Sequence, residues 1–314
     1  MRFDKNDLQL TRRALLGAAA AQNILPAQAP AIPIIDTHIH LYDPTRPQGV
    51  PYPPNAAPTA LPERYRADVE PMGIKGGIKV EASPWVEDNL WVLDLIASHP
   101  FIVGVIGNLD PLKPEFREYL ERYHRNRLFL GIRYGNIWTY NLVTAVEKPE
   151  FIDNVKAFAA TGLTFEAANP RFDLIEAVLR LTDKVPDLRV VLGHLPALAL
   201  PTSSDALKTY SNNLKELRKR NVYAKLSALI KRGDEERDPA IYKPMLDFMW
   251  DIFGEDRVVY AGGWPGSLVK MKAELRVLQA YFGAKGRPAS EKFFWKNSVN
   301  AFRWVKREPG QPQG

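Results

Sequence analysis

The feature that most constrains the fold is a regular alternation of short apolar segments with longer helix-like segments along the 314 residues. Eight short segments have the length and composition of buried strands, at residues 34–42, 75–82, 101–107, 128–133, 163–167, 188–194, 222–226 and 257–261. Helix-like segments follow them at 63–70, 88–98, 114–125, 151–160, 173–183, 205–219, 240–253 and 267–282, with a last one at 290–305. Strands that alternate with helices form parallel βαβ units, and eight units close into a barrel. The sequence therefore predicts an α/β fold with a single (β/α)8 TIM-type barrel over residues 32–314.

An open, doubly wound sheet is the alternative architecture. It fits less well because no glycine-rich phosphate-binding sequence follows the first strand. Residues 43–61 follow it instead, and six prolines between positions 44 and 58 exclude regular secondary structure there. Long loops are usually functional or disordered, and this one leaves the C-terminal end of the first strand, where it would cover a site.

In the first 31 residues, a charged region, an apolar region and a region of small residues follow one another in the order typical of a processing segment. Arg12 and Arg13 precede a short alanine-rich stretch, and Ala27-Gln28-Ala29 has the small-x-small form of a cleavage site. This order resembles a twin-arginine export signal; an amphipathic helix or a disordered arm is the alternative. The apolar stretch is too short to span a bilayer. We therefore expect an exported, periplasmic or secreted protein with no membrane contact in its mature form.

Composition limits the partners and the chemistry. The chain has no cysteine, so a disulfide framework or a thiolate metal site is excluded, and any metal must be held by histidine and carboxylate. The net charge is +6, and residues 217–220 form the one dense basic cluster. We interpret that cluster as a solvated helix C-terminus, because no nucleic-acid recognition motif accompanies it. The expected partner is a small-molecule substrate.

The first strand carries two histidines one residue apart. Side chains alternate along a strand, so Asp36, His38 and His40 share one face. Two imidazoles at this spacing reach one small object, and zinc and related ions bind neutral imidazole nitrogens. A pair of core histidines used for hydrogen bonding is the alternative interpretation.

More polar residues lie at the ends of the other predicted strands, which is where barrels of this type place their active sites. These residues are Lys79, Glu81, Ser83, Arg133, Glu166, His194, Lys225 and Ser227. Burying so many ionisable groups is costly unless they pair or bind something. Glu81 and Glu166 could therefore either neutralise the neighbouring cations or act directly. His194 is the natural third imidazole beside the first-strand pair.

Six stretches resemble the amidohydrolase superfamily, in its amidohydrolase-2 type. They are IIDTHIHLYDP at 34–44, residues 79–111, GIRYGNIW at 131–138, LRVVLGHLPAL at 188–198, YAKLSALI at 223–230 and FGEDRVVYAGGWPGS at 253–267. The branch with similar motifs contains sugar lactonases and 2-pyrone-4,6-dicarboxylate hydrolase. The resemblance implies a distorted barrel and hydrolysis of a lactone or related carbonyl compound. It implies a mononuclear metal site in many members and metal-free catalysis in some.

The resemblance also implies roles for particular residues. His38, His40 and His194 correspond to metal ligands, or to substrate contacts in metal-independent relatives, and zinc is the expected ion with manganese as the alternative. Arg133 corresponds to a cation that holds a substrate carboxylate or carbonyl oxygen. The predicted catalytic set is His194, Arg133, Glu81, Glu166 and Lys225. The predicted substrate-binding set is Arg133, Ser83, Ser227 and Trp264.

The chain departs from the family pattern at the eighth strand. Relatives have Gly-Ser-Asp-Trp-Pro there, and the Asp activates the attacking water, whereas this chain has Gly263 at that position. Loss of a general base typically costs about 10²- to 10⁴-fold in rate. Three accounts stay open: a metal with another ligand activates the water, His194 or a glutamate acts as base while Arg133 polarises the carbonyl, or the protein turns over poorly.

The predicted function is therefore a hydrolase that opens a small lactone or a related cyclic ester or amide. A catalytically impaired pseudo-hydrolase that binds a small carboxylated ligand is one alternative, and a decarboxylase of the same superfamily is another.

Overall fold

The computed structural model describes residues 31–52, 58–231, 233–235 and 237–313. The predicted export signal, apart from Ala31, lies outside the described residues, as does part of the proline-rich loop. None of the helices in the described ranges is long and apolar enough to cross a membrane.

Eight parallel strands form one sheet in which each strand pairs with the next along the chain. They are β1 Ile34–Ile39, β2 Ile74–Val80, β3 Ile102–Gly107, β4 Phe129–Gly135, β5 Thr164–Ala168, β6 Arg189–Leu192, β7 Val222–Leu226 and β8 Val258–Tyr260. The residues that follow β8 return to β1, where Gly263 N–H donates to the His38 carbonyl at 2.8 Å and Ile39 forms a parallel bridge with Trp264. This closure confirms the predicted (β/α)8 barrel.

Helices surround the sheet. They are α1 Pro62–Val69, α2 Asp88–Ala97, α3 Phe116–Tyr123, α4 Leu142–Ala145, α5 Pro149–Ala160, α6 Phe172–Lys184, α7 Ser204–Arg218, α8 Lys243–Phe253, α9 Leu268–Ala284, α10 Arg287–Glu291 and α11 Asn297–Phe302. The short α4 was not predicted. The single helix predicted at 290–305 is wrong in detail, because a π-helical turn at Lys292–Lys296 separates α10 from α11. That turn buries both Phe293 and Phe294, and the Phe293 ring stacks on Phe282 at 3.7 Å between centroids.

Local sequence explains where the helices near the site begin. The Ser267 hydroxyl accepts from the Lys270 N–H at 3.2 Å and caps α9. Ser203 caps α7 in the same way through the Ala206 N–H at 3.3 Å. The cap of α9 starts that helix eight residues after the end of β8, and Lys270 and Met271 of its first turn line a cavity at the strand ends.

Two apolar clusters form the core. One fills the space between the sheet and the helices, and the other fills the barrel interior with Ile35, Ile78, Val80, Val103, Ile106, Leu130, Val191, Tyr223, Val259, Ala301, Phe302 and Trp304. The last three of these come from the C-terminal segment, and the Ala301 carbonyl accepts from the Thr164 hydroxyl at the start of β5. The segment therefore covers the N-terminal end of the barrel, and polar groups at the other end are left to form a site.

We expect Gly131→Ala to destabilise the fold strongly. A Cβ on Gly131 would lie 1.9 Å from the carbonyl oxygen of Thr164, its partner in β5, so the β4–β5 pairing would have to move. The expected loss in unfolding free energy is about 3 kcal/mol or more. Gly283→Ala in α9 is the matched control, because a Cβ there meets no atom within 4 Å. It should be neutral or stabilising by about 0.5–1 kcal/mol. Urea unfolding measures both, and an unchanged Gly131→Ala midpoint contradicts the close β4–β5 approach.

Candidate active site

Buried polar side chains meet at the C-terminal end of the barrel, as predicted. The strand ends supply His38, His40, Glu81, Arg133, Glu166, Lys225 and Ser227, all 7% exposed or less, and His194 from the loop after β6. Parallel strands bring residues that are far apart in sequence to one edge, because all their C-terminal ends lie on the same side.

Three imidazoles lie in contact. His38 Nε2 and His40 Nε2 are 3.1 Å apart, which confirms that the two side chains share one face of β1. The His194 ring lies 4.3 Å from the His38 ring between centroids. His40 Nδ1 faces the carbonyl oxygens of Val80 and Glu81 at 3.2 and 3.1 Å, so this nitrogen carries the proton and Nε2 carries the lone pair.

All three imidazoles are neutral at neutral pH. Burial lowers the pKa of His38 well below its usual value, and the neighbouring His194, Lys225 and Arg133 lower it further. Burial and the Arg133 charge also lower the pKa of His194. Burial lowers the pKa of His40 to about 3, with Arg133 and Lys79 contributing. The three imidazoles therefore add no charge to the site, and the lone pair of His40 Nε2 faces His38 Nε2.

The buried charges form one network. Lys225 Nζ lies 2.5 Å from Glu166 Oε2, and both side chains are fully buried. Arg133 Nη1 lies 3.3 Å from Glu81 Oε1, and its Nε lies 3.5 Å from Glu166 Oε1. The Trp138 indole N–H donates to the second Glu81 oxygen at 3.0 Å. The two predicted glutamates are thus engaged by cations and hold Arg133 in place, which favours the charge-neutralising interpretation.

Two adjoining cavities open at this end and share the three imidazoles as a wall. The larger, of about 530 Å³, is also lined by Tyr52, Glu81, Arg133, Asn136, Ile137, Trp138 and Asn169. The smaller, of about 160 Å³, is also lined by Ser227, Ala228, Gly263, Lys270, Met271 and Glu274, among others. The first has the size of a small-molecule site and the second the size of a few waters or a substrate group.

Backbone strain concentrates around these cavities. Within the described residues, five non-glycine residues have left-handed φ, and Trp138, Asn169, His194 and Ala228 are four of them, with φ between 52° and 57°. They follow β4, β5, β6 and β7 respectively. Such conformations are costly and persist where the surrounding structure fixes them, frequently at functional sites.

Some predicted site residues lie elsewhere. The Trp264 indole N–H donates to Asp68 at 2.9 Å and its ring packs on Tyr65, so it supports the barrel closure and lines neither cavity. The Ser83 hydroxyl donates to Asp88 and also lines neither cavity. Both residues thus lie outside the two cavities, and their substrate-binding roles stay predictions. Ser227 does lie at the site, where its hydroxyl is 2.8 Å from His194 Nδ1.

Other residues at the site were missed by sequence reasoning. Asn136, Trp138 and Asn169 lie one or more residues beyond their strands, and Lys270 and Glu274 come from α9. The sequence did carry a signal for Lys270 and Glu274, since residues four apart share one helix face.

Asp36, on β1, accepts from the Gly262 N–H at 2.7 Å, and burial raises the pKa of Asp36 to about 7.

The sequence profile described as amidohydrolase matches residues 35–304. The chain belongs to the amidohydrolase family. This amidohydrolase is 25% identical over 245 residues to an L-fucono-1,5-lactonase from Burkholderia ambifaria, a match that covers 74% of this chain and 80% of that protein. These findings confirm the resemblance seen in the sequence.

Solved structures have the same fold. A crystal structure of an amidohydrolase from Burkholderia multivorans with bound zinc has a TM-score of 0.74 at 20% identity, covering 87% of this chain and 99% of that one. A probable 2-pyrone-4,6-dicarboxylic acid hydrolase from Acinetobacter baumannii with citric acid bound has a TM-score of 0.67 at 14% identity, covering 86% and 99%. At these identities the likeness shows the fold.

The histidines of this amidohydrolase meet only part of the requirement for zinc. Two ligands of a tetrahedral zinc ion lie about 3.3 Å apart, close to the 3.1 Å between His38 Nε2 and His40 Nε2. The predicted third ligand, His194, does not join this pair: its Nδ1 lies 2.8 Å from the Ser227 hydroxyl, and its ring is tilted against that of His38. Cations already pair with Glu81 and Glu166, and Gly263 has no side chain. Across the described ranges, no three His, Asp or Glu side chains are arranged to hold an ion. The residues therefore do not fit a complete metal site, and the mechanism rests on the chain's own groups.

We expect Lys225→Met to destabilise this amidohydrolase by about 3–5 kcal/mol, because it leaves Glu166 buried without its 2.5 Å partner. Lys243→Met is the control: Lys243 also lies 2.5 Å from a carboxylate, Asp247, but is 66% exposed, so its loss should cost at most about 1 kcal/mol. Urea unfolding measures both. The double variant Lys225→Met/Glu166→Gln should recover much of the loss, and equal effects of the two single variants contradict the network.

Proposed function

We propose that the protein hydrolyses a small lactone, with sugar-acid lactones as the preferred class. The observation that carries this proposal is the cavity of about 530 Å³ in which Arg133 and three neutral imidazoles line the same space. A cationic hydrogen-bond donor beside uncharged nitrogens suits attack of water on a carbonyl carbon, because the donor stabilises the developing oxyanion.

The lining of the larger cavity suits a hydroxylated ring. Arg133, Asn136 and Asn169 line it with polar side chains that can donate hydrogen bonds to a ligand. Trp138 and the 45% exposed Tyr52 add aromatic surface at the same cavity. Carbonyl, ring and hydroxyl oxygens of a sugar lactone match these donors.

The reaction follows from these positions. The lactone carbonyl oxygen accepts from Arg133, and the imidazoles orient a water molecule towards the carbonyl carbon. The water oxygen bonds to that carbon, the ring C–O bond breaks, and a proton passes to the released alkoxide to give a hydroxy acid. Glu81 and Glu166 position Arg133, and Lys225 balances the charge of Glu166. These three are positioning residues.

The similar lactonase supports the substrate class, since its name assigns it L-fucono-1,5-lactone and it covers most of this chain. A zinc or manganese ion bound by His38 and His40 would need a third ligand to complete its site. The proposal includes an ion only on that condition. Elemental analysis of the folded protein measures its metal content.

Wild-type protein should release acid from sugar lactones, measured with a pH indicator across a lactone panel. His38→Ala should lower kcat by about 100-fold or more, because the attacking water loses its orientation. His124→Ala is the matched control, since His124 lies outside the site and its Nδ1 contacts the Leu120 carbonyl. Binding of lactones without turnover would indicate the pseudo-hydrolase, and release of carbon dioxide from aromatic acids the decarboxylase. Either result contradicts the lactonase proposal.

We also propose export through the N-terminal segment, on the basis of Arg12, Arg13 and the Ala27-Gln28-Ala29 sequence. The substitution Arg12→Lys/Arg13→Lys keeps the charge and removes the twin-arginine signal. It should leave the precursor inside the cell, as measured by fractionation and immunoblotting. Export of both forms to the same extent would contradict the proposal.

A further inference from the structure

The structure leaves a space where a family carboxylate is expected after β8. Gly263 has φ of +77°, and a Cβ built there meets no atom within 4 Å. The space belongs to the smaller cavity of about 160 Å³, whose wall includes all three imidazoles. Any group that accepts a proton from water in this cavity must therefore come from another element.

One carboxylate enters the same cavity from α9. Glu274 lines it and is only 5% exposed. Its Oε2 accepts from the Ile230 N–H at 3.2 Å, and the N–H groups of Leu229 and Ala228 also act on the carboxylate. Ala228 holds left-handed φ of 57°, so a strained turn after β7 presents these donors. The turn fixes the carboxylate in position.

Glu274 differs in its partners from the other carboxylates at the C-terminal end of the barrel. Glu81 and Glu166 each lie within 4 Å of a buried cation. Over the residues that the structure describes, Glu274 makes no ion pair, and Lys270, one turn earlier on α9, is the cation that acts on it through space. Backbone N–H groups position a carboxylate without neutralising it, so Glu274 keeps the capacity to accept a proton.

We propose that Glu274 is the general base of this site, supplying from α9 the carboxylate that Gly263 does not supply from the end of β8. This inference rests on the proposed lactone hydrolysis. The water in the small cavity gives one proton to Glu274 while its oxygen bonds to the carbonyl carbon. The tetrahedral intermediate then expels the ring oxygen, which takes that proton back from Glu274. One water is consumed, one C–O bond breaks, and a hydroxy acid is released.

The protonation of Glu274 suits this role. Burial raises its pKa to about 7, and the backbone donors and Lys270 oppose that rise. The other titratable groups around it are Tyr242 and Tyr260, which feel its charge, and the neutral imidazoles of the shared cavity. A base must be deprotonated to act, so kcat/KM should rise as pH increases through about 7.

The test compares Glu274→Gln, Glu274→Asp and wild type in the lactone assay from pH 5 to pH 9, a range of about two pH units on each side of neutrality. Glu274→Gln should lower kcat by about 10²- to 10⁴-fold, with a smaller change in KM and no rise through neutral pH. Glu274→Asp keeps the carboxylate and should retain the pH-dependent rise. Adding Gly263→Asp to Glu274→Gln should restore part of the rate, because Gly263 lines the same cavity as Glu274. Glu176→Gln, at an exposed position of α6, is the matched control.

The outcomes separate the two proposals. Turnover by wild type that Glu274→Gln retains in full overturns the base assignment and leaves lactone hydrolysis standing. A pH profile of wild-type kcat/KM that shows no ionisation near neutral pH also overturns the base assignment. This measurement does not depend on the folding of any variant. Inactivity of wild type on every lactone overturns the proposed function and the base assignment together.

Discussion

The closure of the barrel between β1 and the segment after β8 is the constraint on which the site depends. Gly263 N–H donates to the His38 carbonyl, and His40 N–H donates to the Trp264 carbonyl, both at 2.8 Å. Asp36 reinforces the closure from its side chain by accepting from the Gly262 N–H at 2.7 Å. These bonds set the two β1 histidines directly beside Gly263. The same closure turns the chain into α9, which carries Glu274.

A second constraint is electrostatic. At the C-terminal end of the barrel, the buried Arg133 and Lys225 pair with Glu81 and Glu166, and this pairing limits the cost of removing the four charges from water. The same burial keeps the imidazoles uncharged, since their pKa values are lowered by lost solvation and by nearby Arg133. The network thus has two effects: it holds Arg133 at the larger cavity, and its cations help keep the histidines uncharged. Glu274, outside the network, is held by backbone donors instead.

The sequence predicted correctly the features that depend on local or periodic patterns. Each of the eight predicted strands overlaps an observed one, because each is a short apolar run flanked by helix-like segments. The shared face of His38 and His40 followed from the two-residue period of a strand. The C-terminal region was less predictable, since the π-helical turn at Lys292–Lys296 arises from packing of two phenylalanines into the core. The position of Trp264 was not predictable, because its indole N–H has a partner, Asp68, that is distant in sequence.

The sequence by itself determined the barrel, the family and the position of the histidine pair, because alternation, spacing and motif are properties of neighbouring residues. The resemblance also implied a carboxylate at the position that Gly263 occupies. Only the tertiary structure decided which groups surround the resulting space. Glu81 and Glu166 turned out to be engaged by cations, whereas Glu274 entered from a helix with backbone N–H groups as its donors. These outcomes depend on distances between elements far apart in the chain, which closure of the barrel fixes and local sequence does not encode.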